Sequence, residues 1–139
     1  MLKIKIVLLL FIGVVLVTAC DQEKVKRDQY YAEGSLLYTT YCANCHQADG
    51  KGMASLYPSL HYLDKNYARF ACIVKNGLDE EIIVNGDTFN RPMPANPKLS
   101  AMEIAEIATF VYNTWGGETD YVKTDSIKKA LGECGHYEL

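Results

Sequence analysis

The sequence has little that would suit it to bind nucleic acid or to cross a membrane. Its 139 residues carry 14 lysines and arginines against 17 aspartates and glutamates, a net charge of −3, so no broad basic surface for nucleic acid is expected. The longest apolar stretch, residues 6–17, is shorter than the ~20 residues that a spanning helix needs. The length predicts one domain, and the ordinary globular composition argues against a disordered chain.

The N-terminal segment is typical of an export signal. Lys3 and Lys5 give it a positive start, the apolar stretch follows, and small residues then lead to Cys20. Residues 17–20, Val-Thr-Ala-Cys, resemble the lipobox of bacterial lipoproteins, in which the cysteine is lipidated before cleavage. We therefore expect a signal peptide over residues 1–19 and a lipid anchor at Cys20, holding the chain at a membrane on its periplasmic or outer side. The alternative is an uncleaved anchor helix that ends at this cysteine.

Removal of the first 19 residues would leave a more acidic chain in an oxidising compartment. The remainder carries 12 basic and 17 acidic residues, a net charge of −5. Residues 21–27 are charged and lack periodicity, so we interpret residues 20–27 as a tether to the folded body. Disulfides can persist outside the cytoplasm.

Periodicity and capping signals predict a mostly α fold. Asn85-Gly86 predicts the tight turn of a small hairpin. Ser100 and Glu103 form a capping-box pattern that opens the clearest helix, which Gly116-Gly117 ends. The apolar core is small, so another group is expected to organise it. The other predicted helices cover about Asp28–Tyr41, about Leu63–Asn76 and, within a polar extension over residues 118–139, Ser126–Leu131.

The strongest motif is Cys-x-x-Cys-His at residues 42–46, the attachment motif of c-type haem. On a helical turn, Cys42 and Cys45 can reach both vinyl groups on one side of the ring, and His46 then projects its imidazole onto the iron. We predict one covalent haem c. Three other readings are a redox dithiol, which lacks a surrounding βαβ pattern, a zinc site, which lacks a second close ligand pair, and a plain disulfide, which leaves the histidine unexplained.

With this motif, the chain resembles the class I monohaem c-type cytochromes over about residues 28–115, and we assign residues 28–117 to this domain. The resemblance implies their fold, helices around a covalent haem, with residues 118–139 as an extension outside the family pattern. It also implies that His46 donates its second ring nitrogen to the carbonyl of Pro58, and that electron transfer is the activity. The matching features are Gly34 and Tyr38 before the motif, the Gly50 and Gly52 loop leading to Pro58, the segment from Asn85 to Met93-Pro94, and Ile107, Phe110 and Trp115 on or after the last helix.

The iron's sixth ligand must come from the opposite face of the ring. Met93 lies 47 residues after His46 on a proline-stiffened loop, at the Met-Pro position of the family, and is the predicted ligand. His61 is its rival, because bis-histidine haems exist. The weaker candidates are Met53, Met102 and His136.

Ligation by histidine and methionine saturates the iron, which favours a single-electron carrier and not an enzyme. The acidic charge predicts redox partners with a basic patch. The rival functions are a fixed electron-relay subunit of a respiratory oxidase or reductase, and a haem enzyme or gas sensor with an open sixth site. Side chains expected around the haem are Tyr57, Tyr62, Tyr67, Arg91 and Trp115.

Two cysteines remain once lipid and haem are assigned. Cys72 lies in the middle helix, and Cys134 follows the short helix of the extension. In an oxidising compartment we expect them to form a disulfide that holds the extension, which has little apolar surface of its own. The alternative is a buried Cys72 and a free or intermolecular Cys134.

Overall fold

The computed structural model describes residues 21–136, so the predicted signal peptide over residues 1–19 and the lipidation site Cys20 lie outside the described residues. Within the described part, no helix is long and apolar enough to cross a membrane. The fold is mostly helical with one small hairpin, as predicted. The elements are α1 (Asp21–Tyr41), α2 (Ala43–His46), α3 (Tyr67–Asn76), β1 (Ile82–Val84), β2 (Asp87–Phe89), α4 (Ala101–Thr114) and α5 (Thr124–Gly132), with 3₁₀ turns at Leu60–Tyr62 and Cys134–His136.

Helices α1 and α4 form the main packing contact of the fold. They cross at Gly34, where an added Cβ would overlap the Glu106 carbonyl and lie 2.9 Å from the Phe110 Cβ. Only glycine permits this approach, which explains a residue that is otherwise costly within a helix. One helical turn further along, the Tyr38 ring packs against Phe110 with centroids 5.3 Å apart.

Two helices begin at positions that differ from the prediction. Helix α1 begins at Asp21 and not near Asp28, because the charged residues of 21–27 are good helix formers despite their lack of an apolar stripe. Arg27 also donates to the Thr119 carbonyl at 3.4 Å. The role of this segment as a membrane tether stays a prediction. Helix α3 begins at Tyr67 and not Leu63, because the Asn66 side chain caps it.

Helix α4 is the central helix of the molecule. Its capping box is present as predicted: the Ser100 hydroxyl accepts from the Glu103 N–H, and the Glu103 carboxylate accepts from the Ser100 N–H at 2.7 Å. Residues 104–112 are all buried. The predicted hairpin also forms, with Ile82 paired to Phe89 and positive φ angles at Asn85 and Gly86 in its turn.

The C-terminal extension folds onto the domain instead of trailing from it. Helix α5 packs against α3 and α4 and buries Ile127 and Ala130. Cys72 of α3 and Cys134 form a disulfide with their Cα atoms 5.5 Å apart, the pairing expected from the sequence. The extension therefore supports α3, which is one wall of the candidate site.

Candidate haem site

The Cys-x-x-Cys-His segment turns directly from α1 into α2. The Cys42 N–H donates to the Tyr38 carbonyl at 2.8 Å, and the His46 N–H donates to the Cys42 carbonyl at 2.9 Å. This tight turn brings Cys42, Cys45 and His46 onto the wall of one cavity of about 330 Å³. The spacing of the motif thus places both thiols and the imidazole at a common site.

The imidazole of His46 is buried and oriented by a backbone carbonyl. Its Nδ1 lies 3.0 Å from the Pro58 oxygen, the partner that the family resemblance implies. With Nδ1 donating to this carbonyl, Nε2 is left as the ligating nitrogen. Burial lowers the pKa of His46, and the bond to Pro58 opposes this in part. The neutral form, which binds metal, is therefore favoured.

The loop after His46 holds Pro58 in place through unusual backbone conformations. Gln47 has a φ of 63°, and its carbonyl accepts a 2.6 Å hydrogen bond from the Tyr38 hydroxyl. Gly52 has a φ of 71°, and its N–H donates to the His46 carbonyl at 3.0 Å. A Cβ at Gly52 would lie 2.6 Å from the Pro58 oxygen. Glycine there allows the loop to close behind the histidine.

Met93 lines the same cavity as His46. Its N–H donates to the Leu78 carbonyl at 2.8 Å, and its carbonyl accepts from the Leu78 N–H at 3.0 Å. Gly77, with a φ of 79°, makes room for this contact, since a Cβ there would lie 2.6 Å from the Met93 oxygen. The loop that carries Met93 is therefore fixed by its backbone to the end of α3.

The other candidates for the sixth ligand lie elsewhere. Met53 and Met102 are exposed at 41% and 51% and are not on the cavity wall. The His61 Nε2 lies 2.8 Å from the Asp49 carbonyl oxygen, and its ring stacks on Trp115 outside the cavity. The side chain of His136 is outside the described part of the chain.

The residues predicted to surround the haem divide into two groups. Tyr57, Pro58, Tyr62 and Arg91 line the cavity, with Arg91 also lying over the Tyr57 ring at 5.1 Å. Tyr67 and Trp115 are absent from the wall. Trp115 instead fills the space beside Gly50 and packs on Tyr38 and Phe110.

Sequence reasoning missed most of the apolar wall. Three side chains of this wall, Phe70, Ile73 and Val74, recur at helical spacing on α3, a pattern that could have revealed them. It also missed Arg69 and Tyr112, which line the cavity; Arg69 Nε and the Tyr112 hydroxyl are buried without a hydrogen-bond partner. No sequence signal separates these two from other arginines and tyrosines. The apolar wall consists of Phe70, Ile73, Val74, Leu78, Ile107 and Val111.

The alternative chemistries of the motif find no support in the geometry. Burial, followed by the charge of Cys45, raises the pKa of the Cys42 thiol to about 12, whereas redox-active thiols have a lowered pKa. Across residues 21–136, no group of three or more His, Cys, Asp or Glu side chains could hold a metal ion. Two thiols and an imidazole on one cavity are instead the groups that attach haem c, and a thioether is one of the further iron ligands that cytochromes use.

This fold and donor set define a c-type cytochrome. The family model described as cytochrome c oxidase, cbb3-type, subunit III matches residues 29–111, and the chain belongs to this cytochrome c family. It is therefore an electron-transfer protein that carries haem c, and not an enzyme.

The chain is also similar to individual cytochromes. A cytochrome c-552 of Thermus thermophilus is 30% identical over 92 residues, which cover 61% of this chain and 70% of that protein. A second cytochrome c-552, from a particular strain of the same species, has the same identity, and 62% of its length is covered. The c-type cytochrome XoxG of Methylobacterium extorquens AM1 is similar with a TM-score of 0.45 and 24% identity, over 76% of this chain and 66% of XoxG.

Proposed function

We propose that the chain is a single-electron carrier whose haem c is attached at Cys42 and Cys45, with His46 and Met93 as the axial ligands. The observation that carries this proposal is that all four side chains line one cavity. When bound, the haem supplies an iron that cycles between the ferrous and ferric states.

The protein residues adapt the site to electron transfer. Pro58 orients His46 through the 3.0 Å hydrogen bond. Met93 contributes a neutral thioether, which favours the ferrous state, and the apolar wall disfavours the additional charge of the ferric state. Ligation by both His46 and Met93 would leave no coordination position for a substrate, so the bound haem would supply electron exchange only.

The site proposal is tested on the holoprotein in two steps. In acid-acetone extraction, the haem should stay with the polypeptide, and loss of colour into the solvent would refute covalent attachment. The reduced protein should then fail to bind carbon monoxide at neutral pH. Rapid binding would refute two-sided ligation and favour the haem enzyme or gas sensor.

We also propose that the carrier is exported and anchored by lipid at Cys20, after removal of residues 1–19. The export signal and the lipobox-like residues support this, and so does the Cys72–Cys134 disulfide, which suits an oxidising compartment. Mass spectrometry of the protein extracted from the membrane fraction should find a lipid-modified Cys20 as the mature N-terminus. An unmodified Cys20, or a chain that still carries residues 1–19, would contradict the lipid anchor.

A net charge of −5 for residues 20–139 favours redox partners with a basic patch. Association of the reduced protein with its partner should then slow as salt is added, because screening weakens the attraction. A rate that is constant or rises with salt would contradict this. The measurement is stopped-flow electron transfer at several ionic strengths.

A second candidate function is a fixed electron relay in a respiratory oxidase or reductase. The match to the model for a cbb3-type oxidase subunit favours it, whereas the relatives named cytochrome c-552 are compatible with either function. Solubilisation in mild detergent separates the two candidates. Stoichiometric co-purification with an oxidase or reductase indicates the relay, and recovery as a single species indicates the carrier.

A further inference from the structure

The first part of the C-terminal extension, residues 118–124, lies along α4 and reaches α1. The Val122 N–H donates to the hydroxyl of the buried Thr109 at 2.9 Å, and the Asn113 side chain donates to the Asp120 carbonyl, also at 2.9 Å. Thr109 and Asn113 are one turn apart on α4, so the chain follows this helix over a full turn. We call residues 118–124 the bridging segment.

The bridging segment contacts α1 in the N-terminal half of that helix. The rings of Tyr30 and Tyr121 pack edge-on with their centroids 5.1 Å apart, and the Tyr30 hydroxyl lies 2.8 Å from the Thr124 hydroxyl. One turn earlier on α1, Arg27 Nη1 donates to the Thr119 carbonyl at 3.4 Å. Two positions of α1 are therefore joined to the extension, whose other end is held to α3 by the disulfide.

The N-terminal half of α1 has few other contacts that could stabilise it. Residues 22–29 bury no side chain, and Tyr30 is the first buried residue after them. The close approach of α1 to α4 occurs further along the helix, at Gly34. A short helix without tertiary contacts is only marginally stable in water, so the contacts with the bridging segment are what hold this half in place.

We infer that the extension makes the N-terminal half of α1 a rigid part of the haem domain, so that Cys20 and Cys42 lie at the two ends of one fixed helix. At a rise of about 1.5 Å per residue, the 21 residues of α1 separate these ends by about 30 Å. The inference rests on the proposed lipid anchor, and it assigns residues 21–27 as a rigid spacer and not a flexible tether. The haem is then carried at a set distance from the lipid, which suits a redox partner held in the same membrane.

Hydrogen exchange, followed by nuclear magnetic resonance on the reduced holoprotein, tests the rigidity of the helix. The amides of residues 26–30 should be protected in the unaltered protein and should exchange about tenfold faster in Tyr121→Ala, the factor expected for the loss of one aromatic contact. The amides of residues 34–38 should not change, because Gly34 contacts α4 and not the bridging segment.

The matched control is Lys128→Ala, since the Lys128 side chain pairs with Asp125 within α5. Exchange in this variant should equal that of the unaltered protein. Unprotected amides at residues 26–30 in the unaltered protein, or exchange in Tyr121→Ala that equals the exchange in Lys128→Ala, would overturn the inference.

The separation is measured by energy transfer from a fluorophore on Cys20 to the haem. Export with a signal peptide that lacks the lipobox leaves Cys20, among the five cysteines of the sequence, as the one not used by haem or by the disulfide. The unaltered holoprotein should give one narrow distance distribution, which broadens in Tyr121→Ala but not in Lys128→Ala. A broad distribution in the unaltered protein would overturn the inference. Neither measurement requires the lipid, so this inference can fail while the anchor stands, and the anchor can fail while the rigid helix stands.

Discussion

The two sides of the cavity are built in different ways. The side of His46 comes from one continuous segment, residues 42–60, in which hydrogen bonds hold both the backbone and the imidazole. Met93 instead lies on the loop after the hairpin, which backbone hydrogen bonds join to Leu78 just after α3 and to Val74 within it, and no hydrogen bond to the Met93 thioether is found within residues 21–136. The histidine position is therefore set locally, whereas the methionine position depends on the whole fold.

Helix α3 connects the extension to the methionine loop. The Cys72–Cys134 disulfide fixes one face of the helix. At its end, Lys75 Nζ donates to the carbonyls of Pro97 and Leu99 at 2.7 Å each, which ties the helix to the chain after Met93. A change that destabilises α3 should consequently weaken the bond from Met93 to the iron before the bond from His46.

The largest effect is expected from removing the disulfide. In Cys72→Ala/Cys134→Ala, loss of a cross-link between positions 62 apart should lower the free energy of unfolding by up to roughly 4 kcal/mol. As denaturant is added, methionine ligation should fail earlier than in the unaltered protein, with histidine ligation retained longer. Absorption and circular dichroism follow the two events.

The control for this variant is Cys134→Ala, which removes the same cross-link but keeps the buried Cys72 side chain, and it should show the same loss of stability and of methionine ligation. If His46 and Met93 both dissociate from the iron at the denaturant concentration at which the helices unfold, in every sample, then the two sides of the cavity do not differ in stability.

A smaller effect, on the histidine side, is expected from Gly52→Ala. The φ of 71° and the overlap with the Tyr57 and Pro58 carbonyls should together cost about 3 kcal/mol. Gly86→Ala is the control, because its φ of 88° is equally unfavourable but nothing lies within 4 Å, so strain alone should cost about 1 kcal/mol. Equal unfolding midpoints for the two holoprotein variants would argue against a tightly closed loop behind His46.

The smallest effect is expected from removing the N-terminal caps of α3 and α4. Asn66→Ala removes the acceptor for the Arg69 N–H at the start of α3, and Ser100→Ala removes the cap of α4. Each should lower stability by about 1 kcal/mol. Titration with exogenous imidazole should then show tighter binding at the iron for Asn66→Ala than for Ser100→Ala. Equal affinities would mean that α3 has no special connection to Met93.

Local signals predicted the features that depend on local geometry. The Cys-x-x-Cys-His spacing predicted a shared thiol and imidazole site, Asn85-Gly86 the hairpin turn, and Ser100 with Glu103 the start of α4. Gly34 matched the family pattern, and the structure shows why a glycine lies there: an added Cβ would overlap the Glu106 carbonyl. In each case, the residues that make the structure are neighbours in sequence or have an unusual conformational preference.

The remaining features depend on tertiary contacts that a single sequence does not reveal. The early start of α1 has no amphipathic pattern to mark it. Trp115 was expected beside the haem, but it fills the gap next to Gly50. Arg69 and Tyr112 line the cavity because α3 and α4 pack together, and nothing in their sequence neighbourhood marks them.

The central claim is that His46 and Met93 ligate one haem from opposite sides, and the absorption spectrum of the ferric holoprotein tests it most directly. Ferric haem bound by a thioether has a weak charge-transfer band at long wavelength. The band should be present in the unaltered protein, lost in Met93→Ala, and retained in Met102→Ala, which removes an exposed methionine outside the cavity. A band that survives Met93→Ala, or low-spin character that is lost in His61→Ala and kept in Met93→Ala, would contradict the account.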